Sequence, residues 1–296
     1  MASLEVFQNM VDRRADLMLK AFTGLEGGVV ASGSTCGVVT GGAFGLALMH
    51  ENMLREKGIA AEAEVMDLVG EYVRWFESAF GSALCRKRTG VNFYTGMGQL
   101  RYLLPGDKVV RCLWHIRGAM RHLHACQEKD PPGINGEPKE MHGEPIHCAQ
   151  AVLSDIRNRT GIGDPLLERL SFIFDGGVGF QGGVCGALAG AILGVNLLLG
   201  WDIRNISYFE ALKRFIVGHI NLLLDNPIGK PEPFFVGKNI VERFRQEAGT
   251  LECRGITEKR FSGWDHFQQH ISASDQCAAL ITFAASEASN AIRKLQ

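Results

Sequence analysis

The sequence predicts an all-α protein, a helical domain built from two diverged, pseudo-symmetric repeats of one module. Three observations carry this prediction. Apolar residues recur with helical spacing, no stretch alternates apolar and polar residues as a half-buried strand does, and the second half repeats glycines and cysteines of the first.

Helical stripes appear along the whole chain. The first half has two, one in residues 7–21 and one in residues 65–80. In the second half, Ser207 and Glu210 form a capping-box pattern before an apolar stripe that Asn226-Pro227 should stop. We expect Ser272 with Asp275 to open a last helix that runs toward Leu295.

Two stretches, residues 27–49 and 176–201, contain no charged side chain. Their length would permit a membrane span, but they hold seven and nine glycines, and the second carries Gln181 and Asn196. We interpret each as a buried core helix that is entered through a glycine-rich loop.

Composition narrows the function. Of the 296 residues, 46% are hydrophobic, and the formal net charge is -1 from 31 basic and 32 acidic residues. This balance predicts no nucleic-acid partner and no anionic membrane surface. Residues 1–16 lack the features of a secretory signal, so we expect a cytoplasmic protein with a redox partner protein, and a homo-oligomer is compatible with the sequence. In that reducing setting, eight cysteines suggest thiols or metal ligands more than disulfides.

Two sequence offsets align the second half of the chain with the first. An offset of 149 residues places Cys36 on Cys185, and it matches glycines on both sides of that cysteine, namely 27, 28, 33, 37, 41 and 45 with 176, 177, 182, 186, 190 and 194. Further on, Phe76, Gly81, Cys85 and Arg86 match Phe244, Gly249, Cys253 and Arg254, and Cys112 is matched with Cys277. The predicted organisation is therefore a first repeat over residues 1–126, a Pro/Gly-rich linker over 127–147 and a second repeat over 148–296.

Glycines at every fourth position follow Cys36 in the first repeat and Cys185 in the second. Each glycine inside a helix costs about 1 kcal/mol relative to alanine, which implies close approach of another backbone or a cofactor. We expect the glycine faces of the two repeats to pack against each other near a pseudo-two-fold axis. Cys185 precedes such a helix, whose N-terminus favours a thiolate.

Four segments of the second half carry a family resemblance. The segments CAQAVL at 148–153, FDGGVGFQGGVCGALAGAILGVNLLLG at 174–200, RFRQEAGTLECRG at 243–255 and DQCAALITFAASEA at 275–288 resemble the C_GCAxxG_C_C family of redox-active proteins. Split-Soret cytochrome type proteins carry a related region, whose four cysteines are thought to hold an iron–sulfur cluster. The resemblance implies a redox or electron-transfer role, and it implies cluster or metal ligands at Cys148, Cys185, Cys253 and Cys277.

The first repeat departs from the family pattern. It has Val38 where the motif has Ala187, and no cysteine precedes Cys36. We expect it to act mainly as a scaffold. Other thiols and imidazoles are weaker candidates for metal ligands, and these are Cys36, Cys85, Cys112, Cys126, His115, His122 and His147.

Alternatives to the iron–sulfur centre stay open at this point. One is a thiol–disulfide oxidoreductase in which Cys185 is the nucleophile. Another is a non-enzymatic module that binds zinc or non-covalent haem, and a protein without any cofactor is the remaining case. Since no CxxCH is present, covalent haem is not expected.

Overall fold

Two equivalent series of helices make up the protein. The computed structural model describes residues 1–127 and 144–296, so most of the predicted linker lies outside the described residues. Within them, the first series consists of α1 (Ala2–Met10), α2 (Asp16–Ala21), α3 (Gly37–Met49), α4 (Glu51–Lys57), α5 (Ile59–Phe80), α6 (Cys85–Thr89), α7 (Gly96–Leu103) and α8 (Asp107–Gln127). The second consists of α9 (Cys148–Thr160), α10 (Pro165–Leu170), α11 (Gly186–Leu199), α12 (Tyr208–Asn221), α13 (Pro233–Ala248), α14 (Cys253–Thr257), α15 (Trp264–Ala273) and α16 (Asp275–Arg293).

The fold class is all-α, as predicted. Apart from two isolated antiparallel bridges, the described residues form only helices, turns and loops. None of the helices in residues 1–127 and 144–296 is long and apolar enough to cross a membrane. The two charge-free stretches instead form the loops before α3 and α11 and these helices themselves, which are almost wholly buried.

The element boundaries follow the two sequence offsets. The 149-residue offset relates α2 to α10, the 3₁₀ turn Phe22–Leu25 to Ser171–Phe174, and the start of α3 to that of α11. An offset of 168 residues relates α6 to α14 and the starts of α7 and α8 to those of α15 and α16. By this second offset Cys112 corresponds to Leu280 and not, as predicted, to Cys277. Cys112 therefore lies one helical turn further along its helix than Cys277 does.

The predicted N-cap of α12 is confirmed, whereas that of the last helix is corrected. Ser207 caps α12 by accepting a hydrogen bond from the Glu210 N–H at 3.2 Å. The last helix is capped by Ser274 and not by Ser272, because the Ser274 hydroxyl accepts the N–H of Cys277 at 3.2 Å.

A left-handed turn precedes α3 and α11. Residues 27–31 have φ between +50° and +81°, and residues 176–180 have φ between +57° and +81°. Glycine adopts this conformation freely, but Val29 and Val178 also adopt it, at about 1–2 kcal/mol per non-glycine residue. Because this turn is built twice at equivalent positions, it is a feature of the module.

Each glycine face packs inside its own repeat, and the prediction that the two faces meet is wrong. A Cβ at Gly190 would lie 2.7 Å from the Ala149 carbonyl oxygen of α9, and one at Gly194 would meet Ile156. In the first repeat, Gly41 and Gly45 face Ser3 and Phe7 of α1. The glycines therefore let the cysteine-preceded helix approach the leading helix of the same repeat.

Contacts between equivalent residues mark where the repeats meet. Thr35 and Val184 are related by the 149-residue offset, and the Val184 N–H donates to the Thr35 hydroxyl at 2.7 Å. Nearby, Arg86 forms an ion pair with Glu252 at 2.7 Å. The loops before α3 and α11 therefore meet at the centre of the molecule.

We predict that Gly190→Ala destabilises the protein by about 1–3 kcal/mol, since the added methyl group would press on the backbone of α9. Thermal and urea unfolding measure the change. Gly96→Ala is the control, because a Cβ at Gly96 would have only the Leu223 methyl at 3.9 Å near it. A Gly190→Ala protein as stable as the Gly96→Ala protein would contradict the close packing of α9 and α11.

Candidate functional site

The four cysteines of the family pattern line one cavity in the second repeat. Cys148, Cys185 and Cys253 are buried, and Cys277 is half-buried at its rim. The rest of the wall is mostly apolar and includes Ile256, Phe267, Leu280 and Ile281. Cysteines up to 129 residues apart in the sequence are thus brought together in space.

Each of these cysteines stands at the start of a helix. Cys148 and Cys253 are the first residues of α9 and α14, Cys185 is the N-cap of α11, and Cys277 lies in the first turn of α16. Helix N-termini present unpaired N–H groups and the positive end of the helix dipole. The cavity wall is therefore suited to negative charge although it contains almost no charged side chain.

An isolated bridge sets the positions of two of the cysteines. Val184 pairs with Glu252, the Cys185 N–H donates to the Leu251 carbonyl, and the Cys253 N–H donates to the Gly183 carbonyl, at 2.8 and 2.7 Å. These two bonds tie the glycine-rich loop to the segment before α14. As a result, the starts of α11 and α14 lie side by side.

Burial raises the pKa of three of the four thiols. It raises the pKa of Cys185 to about 11, although the N–H groups of Ala187 and Leu188 favour its thiolate. It also raises the pKa of Cys148 and Cys253, and the neighbouring cysteines add to this effect. The expected activation of Cys185 by its helix is therefore outweighed by burial, which disfavours a role as a free nucleophile.

A buried ion pair supports the start of α9. The Asp175 carboxylate accepts the Cys148 N–H at 3.0 Å and lies 2.7 Å from His147 Nδ1. On the other side of the ring, His147 Nε2 lies 3.3 Å from Glu62 Oε2 of α5. Burial opposes the charge on His147, but Asp175 and Glu62 outweigh it and raise its pKa to about 10. The charged ring has no lone pair for a metal, and it does not line the cavity.

His270 was not among the sequence candidates, yet it lines the cavity. Its Nε2 lies 3.9 Å from Cys277 Sγ, and its Nδ1 lies 3.1 Å from Lys259 Nζ. Partial burial, followed by the nearby Lys259, lowers the pKa of His270, so its ring is neutral near pH 7. In the sequence, the 168-residue offset pairs His270 with Tyr102, and this pair of unlike residues gives no signal of a ligand.

Three thiols of the first repeat occupy equivalent places. Cys36 is the N-cap of α3, Cys85 begins α6, and Cys112 lies in α8. The bridge between Thr35 and Leu84 ties the first two segments together as in the second repeat. Residues 1–35, which precede Cys36, contain no cysteine that could correspond to Cys148.

The remaining candidates lie apart from the cavity. His115 is buried against Phe80, with ring centroids 4.5 Å apart. His122 stacks on Trp75 at 3.7 Å and lies 3.8 Å from the exposed Cys126. The structure therefore does not bring these three side chains to the cavity in the second repeat.

The donor set fits a cysteine-ligated centre, but the space is narrow. Soft thiolate sulfurs suit iron–sulfur clusters, zinc and copper(I). Among residues 1–127 and 144–296, no group of three or more His, Cys, Asp or Glu side chains is spaced to hold a single metal ion. The cavity measures about 10 Å³, which is room for roughly one water molecule. A bound centre would have to spread the sulfurs, and Cys277 at the rim has the most freedom to move outward.

We predict that Asp175→Asn destabilises the protein by about 3–5 kcal/mol, because it removes one partner of a buried charge pair. Asp155→Asn is the control. It breaks a partly exposed pair with Arg159 in the same helix and should cost at most about 1 kcal/mol. Urea unfolding at neutral pH compares the two variants, and equal losses would show that the His147–Asp175 pair does not support α9.

Comparison with known proteins agrees with the repeat. The family described as "Putative redox-active protein (C_GCAxxG_C_C)" matches residues 1–124 and 146–291, one region for each repeat. No curated protein and no solved structure matches the chain significantly. Since the two regions together span most of the sequence, the chain belongs to the C_GCAxxG_C_C family of redox-active proteins, whose model matches each repeat once.

Proposed function

We propose that this redox-active protein transfers electrons through an iron–sulfur centre that Cys148, Cys185, Cys253 and Cys277 hold in the second repeat. The observation that carries the proposal is the meeting of four thiols at four helix starts around one buried cavity. When bound, such a centre supplies one-electron chemistry.

The surrounding residues would set the properties of the centre. N–H groups at the starts of α9, α11 and α16 stabilise negative charge on the sulfurs. The apolar side chains Ile256, Phe267 and Leu280 keep water away, and the N–H groups of Ala187 and Leu188 bond to the sulfur of Cys185. Burial and such hydrogen bonds are the factors by which proteins adjust the potential of a cluster.

The thiol–disulfide alternative has less support from the geometry. An attacking cysteine needs a thiolate, whereas burial raises the pKa of Cys185 to about 11 and its sulfur borders a mostly apolar wall. Thiols whose pKa is raised by burial, as in Cys148, Cys185 and Cys253, suit ligands better, because a metal ion displaces the proton when it binds. Zinc and haem remain outcomes of the experiment.

We predict that anaerobically purified protein contains iron and acid-labile sulfide and absorbs visible light. Cys185→Ser should remove most of the metal, since one ligand of four is lost, and Cys36→Ser should leave most of it in place. Metal analysis of the two variants tests whether the centre lies in the second repeat. Equal loss from both would show that the repeats are equivalent, and colourless, metal-free protein with thiols that oxidise in pairs would favour the disulfide alternative.

A second prediction uses the difference between the repeats. The 168-residue offset places Arg88 of the first repeat on Ile256, which lines the cavity of the second. Ile256→Arg should bring a guanidinium among the four sulfurs, exclude a metal ion by charge and bulk, and abolish visible absorption. Ile256→Met is the control of similar length without charge. Metal retained at the wild-type level in Ile256→Arg would place the centre elsewhere.

A further inference from the structure

The first repeat contains a cysteine site with a different charge. Cys36 and Cys185 have almost the same backbone conformation, with φ and ψ of -58° and 136° against -59° and 132°. Their exposed fractions are 7% and 8%, and each donates its N–H across the equivalent bridge at 2.8 Å. Differences in chemistry between them must therefore come from neighbouring side chains.

The largest such difference is Arg88, which replaces Ile256. The Nη1 of Arg88 lies 2.9 Å from Cys36 Sγ and donates a hydrogen bond to it. The guanidinium also lies over the Phe76 ring, 4.9 Å from its centroid, so packing on α5 helps to hold it on the sulfur. Since arginine stays charged, Cys36 has a permanent cation beside it, which Cys185 lacks.

The other two thiols of this site are less suited to carry negative charge. Burial raises the pKa of Cys85, and a charge on Cys36 raises it further. Burial also raises the pKa of Cys112, which bonds to the Tyr102 hydroxyl. Among the three sulfurs, Cys36 is the one that accepts a hydrogen bond from the Arg88 guanidinium. Negative charge that develops on Cys36 during a reaction therefore has a cation directly beside it.

We propose that Cys36 is a second redox site of this protein, a thiol that the Arg88 guanidinium contacts and that hydroperoxides oxidise to a sulfenic acid. The sulfur loses its proton to water and attacks the terminal, hydrogen-bearing oxygen of the peroxide, an S–O bond forms, and the O–O bond breaks. Sulfur loses two electrons, the peroxide is reduced, and the leaving hydroxide or alkoxide takes a proton from water. Such an acid is reversible, since a thiol can reduce it through a disulfide.

This site is independent of the metal centre, because none of its residues lines the cavity in the second repeat. The first repeat would then be more than the scaffold expected from its missing cysteine. It would contribute a thiol that is oxidised by two electrons, whereas the second repeat would contribute the metal ligands.

The test is trapping of the sulfenic acid with dimedone after addition of hydrogen peroxide, quantified by mass spectrometry on the peptide that contains Cys36. We expect Cys36 to be the main labelled cysteine of the wild-type protein. Arg88→Met keeps the length of the side chain but removes the charge, and it should slow labelling by about tenfold or more. Arg88→Lys should restore part of the rate.

Lys87→Met is the matched control, because it removes an equal charge from the neighbouring exposed position and should leave labelling unchanged. Circular dichroism and the melting temperature show whether each variant is folded. If Arg88→Met does not fold, the comparison of wild type with Arg88→Lys and Lys87→Met still tests the site. Labelling of Cys36 that is slower than that of Cys126, or that does not respond to Arg88, would overturn the proposal.

Discussion

The antiparallel bridge between the glycine-rich loop and the segment before the short cysteine helix is the constraint on which the structure depends. It occurs once in each repeat, at Thr35 with Leu84 and at Val184 with Glu252. It fixes two cysteines beside each other, and its Thr35 and Val184 also contact each other across the molecule. One short pairing therefore organises both the site within a repeat and the junction between repeats.

The glycines make this arrangement sterically possible, in two different ways. Those in the loops permit a left-handed turn that reverses the chain ahead of α3 and α11. Those on the helices allow α1 and α9 to approach α3 and α11 at backbone distance. The cost of about 1 kcal/mol for each helical glycine is offset by burial of the leading helix, whose first residue in the second repeat is Cys148.

Much of this could be predicted from the sequence. Spacing and the 149-residue offset were sufficient for the all-α class, the duplication and the starts of α3 and α11. The helices that pack on the glycine faces were predicted wrongly. A row of glycines indicates close packing, but it does not identify which helix packs there. Asp175 and His270 were missed for a similar reason, since a single acid or histidine has no periodicity and gains its meaning only from contacts with distant residues such as His147 and Cys277.

The two proposed sites would place two kinds of sulfur chemistry in the two repeats. A buried apolar wall raises the cost of a free thiolate, so sulfurs such as Cys185 are stable either protonated or bound to metal. A cation at the same position favours negative charge that develops on sulfur and repels a metal ion. In the two proposed sites, the difference between Ile256 and Arg88 therefore separates metal binding from thiol oxidation on electrostatic grounds. Since Cys36 and Cys185 share their backbone conformation, the module could diverge in function without a change of fold.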